Sequence, residues 1–216
     1  MADEQQIHGT LSSGQRSLRL GHLVVRRIRE LHEAKAANSS AAKGRLAALR
    51  KAVYSAPGTL PELWELCTVP DELQPAFVGD EPTTAERSVH TALSLYARHE
   101  QSNRGECMHK EGIPFAQAAF VLAHASGAEE TAGVRSRLNA AATAVSYEEF
   151  VRHIAGLISM LRGANIRFDY ADLTRDLYQF HSPSGREAVR RRWARAYRPL
   201  PKAQETNSTT DTTQGA

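Results

Sequence analysis

The stretch SYEEFVRHIAGLISMLRG, residues 146–163, decides the fold. Phe150, Ile154, Leu157 and Leu161 recur at intervals of three and four residues, the period of an α-helix that buries one face. Ser146 followed by Glu149 matches a reciprocal capping box at the start, and Gly163 suits the end. Glu148 and Glu149 are adjacent and diverge around the helix. They read as a solvated first turn favoured by the helix dipole rather than as a catalytic carboxylate pair.

The same period continues on both sides. Upstream, one helix carries Leu20, Val24, Ile28 and Leu31 inward and Arg19, Arg26 and Arg29 outward, and a second carries Ala42, Leu46, Leu49 and Val53. Thr59 with Glu62 and Thr83 with Glu86 match further capping boxes. Pro114 suits the first turn of a helix with Phe115, Ala118 and Leu122 inward. The next helix is expected to bury Val134, Leu138, Ala141 and Val145. Downstream, Asp169 is expected to cap a helix with Leu173, Leu177 and Phe180 inward. Ser182-Pro183-Ser184-Gly185 then breaks the chain before a last helix carrying Val189, Trp193 and Tyr197. No alternating run bounded by hairpin turns is present, so the fold class is all-α, an elongated helical bundle in two packed helical halves. The expected organisation is a flexible N-terminus over 1–13, helical halves over 14–126 and 127–200 that divide near Ser126 and Gly127, and a disordered tail over 201–216. That tail, rich in Thr, Ser and Gln, lacks the apolar surface to offset its ordering entropy.

At 216 residues the chain can bury a core of its own. Cys67 and Cys107 are too few and too distant for a disulfide framework, so free thiols and a reducing cytoplasm are expected. No signal pattern opens the sequence, and no apolar run reaches the roughly 20 residues of a membrane span. The net charge is only +3, but it is segregated. From Pro57 to Glu86 every charged residue is acidic (Glu62, Glu65, Asp71, Glu72, Asp80, Glu81, Glu86), while Arg and Lys cluster on either side. Such a field favours polyanions more than the net value suggests.

The basic helix KGRLAALRK, Lys43 to Lys51, contains no acid. With Leu46 and Leu49 inward, a rotation of about 100° per residue puts Lys43, Arg50 and Lys51 outward and Arg45 at the edge of the apolar stripe. That surface suits phosphates, which Arg meets as a fork and Lys as a point charge. The last helix offers Arg186, Arg190, Arg191, Arg192, Arg195 and Arg198 against the single acid Glu187. Arg135, Arg137, Arg152, Arg162, Arg167 and Arg175 lie off the apolar stripes of their helices and are expected to line one basic groove. Trp64, Trp193 and the periodic tyrosines read as core rather than as stacking platforms.

No Walker loop, dinucleotide glycine pattern, HExxH or nucleophile elbow is present. His90, His99, Cys107 and His109 are the best set of soft metal donors, but their spacing fits no compact zinc module. The expectation is a protein without catalytic residues, metal or cofactor.

Several strings resemble the CasB family, the small subunit of the type I-E CRISPR complex Cascade: GRLAALRKA (Gly44 to Ala52), HEQS (His99 to Ser102), MHKEGIPFAQA (Met108 to Ala118), VRSRLNAAATA (Val134 to Ala144), YEEFVRHIAGLISMLR (Tyr147 to Arg162), FDYADLTRDLYQF and VRRRWARAY. Their order covers nearly the whole chain outside the first dozen residues and the tail. The resemblance implies a two-part helical protein that sits with a second copy along the belly of Cascade. There it touches the backbone and large subunits and stabilises the R-loop formed when CRISPR RNA pairs with target DNA. Its basic positions carry over as Arg45, Arg50, Arg135, Arg137, Arg152 and Arg175; Lys43, Lys51, Arg162 and Arg191 complete the expected nucleic-acid surface. One departure stands out: the cation that the family places near Gln117 is missing here. The alternative is a helical DNA-binding transcriptional regulator using Arg186 to Arg198 as a recognition helix. A purely structural adaptor is the third reading.

Overall fold

The computed structural model describes residues 11–75, 79–125 and 131–200. Within them lie nine α-helices: α1 (Ser13–Ala36), α2 (Ser40–Lys51), α3 (Trp64–Cys67), α4 (Thr84–His99), α5 (Phe115–Ala123), α6 (Ala132–Thr143), α7 (Tyr147–Gly163), α8 (Tyr170–Gln179) and α9 (Pro183–Ala196). They form an elongated all-helical arrangement. The described residues contain no strand, only an isolated bridge between His109 and Phe168. No helix among them is long and apolar enough to cross a membrane. The expected boundary at Ser126 and Gly127, the tail over 201–216 and the terminus up to residue 10 lie outside the described residues. Leu11 packs on the core and Ser12 caps α1.

Each apolar stripe in α1, α2, α7 and α8 is buried as its period requires; Phe150, Ile154, Leu157 and Leu161 have no exposure at all. The helices pack in definite directions. Tyr147 donates its hydroxyl to Arg87 O at 3.4 Å, Arg98 Nε donates to Ser159 Oγ at 2.8 Å, and Arg162 Nη1 donates to Gln101 Oε1 at 2.7 Å. Partners therefore advance together along both chains, and α4 and α7 run parallel, with α5 and α6 carrying the chain back between them. By contrast α1 and α8 run antiparallel, because Arg16 reaches Tyr178 (3.4 Å) while Gly21 faces Ala171. A Cβ on Gly21 would lie 2.9 Å from Ala171 O, so glycine sets how closely these two helices approach. An aromatic cluster of Phe150, Phe180, Trp193, Phe115 and Phe168 joins α5, α7, α8 and α9.

Several expectations need correction. Thr59 caps nothing: its hydroxyl donates to Ala56 O at 2.9 Å, and Pro61 opens a short 3-10 turn whose capping position is Leu60. The box at Thr83 and Glu86 is complete, but at Ser146 only half forms, since Glu149 accepts from Val145 N instead of from Ser146 N. Pro114 precedes α5 as its N-cap rather than sitting inside its first turn. Val145 is 76% exposed, because α6 ends at Thr143 and the chain turns before reaching it. Trp64 is 57% exposed rather than core; its indole N–H donates to Gly58 O at 2.7 Å beside a hollow rimmed by Asp80, Glu81 and Glu86.

Candidate nucleic-acid interface

Ser39 starts α2 by accepting from Ala42 N, and no acid follows in the helix. Burial of Ala42, Leu46 and Leu49 leaves Lys43, Arg45 and Lys51 exposed and Arg50 half-buried. Lys43 donates to Asn38 Oδ1 at 3.2 Å, and Arg45 pairs with Glu65 at 2.8 Å, so part of the acidic segment lies against the basic helix. Arg50 and Lys51 occupy the last turn, where cations complement the helix dipole. Neither forms an ion pair among the described residues.

The chain leaves α2 through a 3-10 turn, Ala52–Tyr54. Val53 goes into the core, while Tyr54 stays 63% exposed. Because α4 and α7 run parallel, their first turns lie side by side, and this turn faces both of them. The result is a cleft of about 650 Å³ lined by Val53, Tyr54, Arg87, His90, Val151 and Arg152 among others. Arg152 is exposed and has no ion-pair partner among the described residues. Arg87 donates to Pro82 O at 3.2 Å and stands 3.7 Å from Glu81. His90 is buried, and burial pushes its imidazole down to about 4, so it is neutral near pH 7. Tyr147 stacks on His181 at 4.1 Å on the far wall.

The other expected cations are distributed unevenly. Arg135 and Arg137 are exposed on α6, with the Arg135 guanidinium 5.1 Å from the Tyr197 ring centre. Arg162 sits at the opposite end of α7 from Arg152, bonded to Gln101. Arg175 pairs with Asp172 at 2.8 Å, and its Nε is buried without a partner. Burial raises the Asp172 carboxyl and Arg175 partly offsets it.

The last helix is less free than its composition suggests. Arg186 donates to Phe180 O and Val145 O, Arg190 to Ala142 O, and Arg192 to Asp176 and Gln179. Three of its cations thus tie α9 to α6, α8 and the turn between α6 and α7. Among the described residues, Arg191 makes only an exposed i,i+4 pair with Glu187 at 3.3 Å. With Arg195 and Arg198 it lines a hollow of about 400 Å³ beside Gln117. The position where the expected cation is missing therefore lies next to arginines from a distant part of the chain. Sequence reasoning did not place Arg87, Tyr54, Arg195 or Arg198 in the nucleic-acid surface, and took His90 only as a possible metal donor. For Arg195 and Arg198 the signal was the run itself, whereas nothing local marks Arg87 or Tyr54.

The soft donors do not assemble. His99 is held by Ile166 O at 3.0 Å and the Tyr170 hydroxyl at 3.2 Å, and His109 accepts from Tyr170 N at 3.2 Å beside Asp169. A different trio, His32, Glu100 and Cys107, brings its donor atoms within 4.8 Å of one another. The Lys35 ammonium already sits 2.8 Å from the Glu100 carboxylate. Burial raises the Cys107 thiol, keeping it protonated. The trio is thus a hydrogen-bonded cluster built around an internal cation.

The family profile described as CRISPR-associated protein Cse2 (CRISPR_cse2) matches residues 45–197. Among solved structures, CasB from Thermobifida fusca shares 31% identity over 82% of this chain and 97% of its own, with a TM-score of 0.71. A CRISPR-associated protein of the Cse2 family from Thermus thermophilus shares 22% identity over 81% of this chain and 96% of its own, at a TM-score of 0.57, and supports the fold. A search of curated sequences gives no match.

Proposed function

Since the chain belongs to the CasB/Cse2 family of CRISPR-associated proteins, the small subunits of Cascade, we propose that its exposed cations hold the single-stranded DNA of the R-loop through phosphate contacts. Members of the family are non-catalytic scaffolding subunits, and a part in CRISPR defence follows at that level. The finer reading rests on one observation. One cleft, lined by Val53 and Tyr54 just after α2, also carries Arg87 of α4 and Arg152 of α7. In this reading, these cations and those of α2 share one surface across the expected helical halves, 14–126 and 127–200.

Lys43, Arg45, Arg50 and Lys51 supply one end of the proposed track. Arg152 stands at the cleft, and Arg135, Arg137, Arg162 and Arg191 extend the charge over the remaining helices. Arg175, paired with Asp172, is the weakest member. Phosphate contacts fix position without reading sequence, which suits a subunit whose target is chosen by guide RNA. The partners in this reading are the backbone and large subunits, a second copy of the chain, CRISPR RNA and target DNA.

Arg50→Glu and Arg152→Glu, each in assembled complex, test the track. Each variant should weaken hold on target DNA and make the salt dependence shallower by about 0.7 in log–log slope per lost single-strand phosphate contact, with the melting temperature nearly unchanged. Wild-type binding by both variants across a salt series overturns the track and favours a structural adaptor. A tight preference for one duplex operator favours a regulator.

A further inference from the structure

The cleft carries features that phosphate binding does not use. Tyr54 holds a large aromatic ring 63% exposed at its lip. His90 is only 3% exposed, yet neither ring nitrogen has a hydrogen-bond partner among the described residues, and the ring lines the cleft. Its ring nitrogens are not sealed from solvent, so they are available to bond a polar ligand that enters the cleft. Val53 and Val151 add apolar wall, and the volume of about 650 Å³ lies within the range of small-molecule sites. The lining also holds Arg87, Glu148 and Arg152, which has no ion-pair partner among the described residues.

Resting on the single-strand reading above, we propose that this cleft is a nucleotide pocket, which takes one unpaired base stacked on Tyr54, bonded to His90, with its phosphate on Arg152. The ligand chemistry is that of a nucleotide because two demands meet in one place. Arg87 and Arg152 give the lining positive charge, as a phosphate needs; Val53, Tyr54, Val151 and the neutral His90 give it uncharged and aromatic surface, as a base needs. The imidazole stays neutral because burial lowers it to about 4, leaving one donor and one acceptor, the pattern a base edge can match. Glu148, exposed at the rim, repels phosphate and so places it on the arginine side. A pocket of this kind stacks any base, and it anchors a displaced strand at one nucleotide while the remaining cations track the backbone.

The test compares wild type, Tyr54→Phe and Tyr54→Ala in binding a single-stranded oligonucleotide with or without one abasic position, across a salt series. Tyr54 is exposed, so its loss leaves folding intact. Loss of the ring should weaken the intact oligonucleotide by about 5- to 100-fold without changing the salt slope, and Phe should restore most of it. The best-placed abasic substitution should weaken wild type similarly and add little to Tyr54→Ala. Equal binding by Tyr54→Ala and wild type, with the wild-type salt slope intact, overturns the pocket and leaves the phosphate track standing. A wild type with no salt-dependent affinity overturns both. DNA binding that survives Tyr54→Ala while assembly with other Cascade subunits fails assigns the cleft to a protein neighbour and overturns the nucleotide reading.

Discussion

Trp193 donates its indole N–H to Asp176 Oδ2 at 2.6 Å, while the other oxygen of that carboxylate accepts from Arg192 Nε at 2.8 Å. One acid on α8 thus orients two successive residues of α9 and turns Arg192 into part of the core's edge. The Asp176 side chain is 4% exposed, and burial raises its carboxyl against the opposing pull of Arg192.

Replacing Asp176 with Leu should therefore destabilise the fold by about 3–5 kcal/mol, since it leaves the Arg192 charge and the indole N–H without partners. Trp193→Phe keeps the ion pair and should cost less, on the order of 1–2 kcal/mol from the lost hydrogen bond and ring area. Urea midpoints of the two variants check the order. Equal losses would show that the pair with Arg192 carries no weight.

Acid should destabilise the protein through its buried histidines. Burial lowers His90, His99 and His181 to about 4 in the folded state, against about 6.5 unfolded. Between those values the unfolded chain binds more protons, so stability is complete above about pH 6.5 and falls as pH drops toward 4. Each group contributes up to about 2 kcal/mol of loss at pH 5, at 1.4 kcal/mol per unit. Thermal melts from pH 7.5 to 4.5 should show this slope, and His99→Gln should flatten it. A melting temperature constant from pH 6.5 to 5 would refute the assignment.

What could be read from the sequence followed period. Phe150, Ile154, Leu157 and Leu161 announce their helix because an inward face repeats every turn, and Thr83 with Glu86 announces α4 because both partners of its cap are local. Thr59 with Glu62 carries the same letters, but Pro61 between them starts a different turn. Long-range choices were not legible. Whether an arginine of α9 faces phosphate or carbonyl depends on Ala142 O and Val145 O, more than forty residues upstream. The parallel register of α4 and α7, which creates the cleft between Tyr54 and Arg152, leaves no mark in either segment.

Two glycines should respond oppositely. A side chain at Gly21 meets the backbone of Ala171 at 2.9 Å, and helix backbone cannot yield as a flexible side chain can. Gly21→Val should force α1 from α8 and cost at least about 2 kcal/mol. A Cβ at Gly44, on exposed α2, meets nothing within 4 Å. Gly44→Ala should stabilise the fold by about 0.5–1 kcal/mol through helix propensity alone. Melting temperatures decide both signs, and a stabilising Gly21→Val would refute the close contact.

The pair between Arg45 and Glu65 makes the final prediction, because it sets an internal carboxylate against the proposed phosphate. Both side chains are well exposed, at 44% and 85%, so the pair contributes little to folding, within about 1 kcal/mol. Its effect on binding is different. While Glu65 holds the guanidinium, a phosphate must displace it to gain Arg45. Glu65→Gln removes that competitor along with one repulsive charge near the strand. It should tighten single-strand binding about two- to fivefold at low salt and steepen the salt dependence by up to about 0.7 in log–log slope, the contribution of one further neutralised phosphate. Arg45→Gln should shift neither affinity nor slope by as much as Arg50→Gln, since Arg45 starts out partly neutralised. In the double variant Glu65→Gln with Arg45→Gln, the steepening should vanish. If Glu65→Gln steepens the slope equally with and without Arg45, the gain is a general change of field and Arg45 lies off the strand's path.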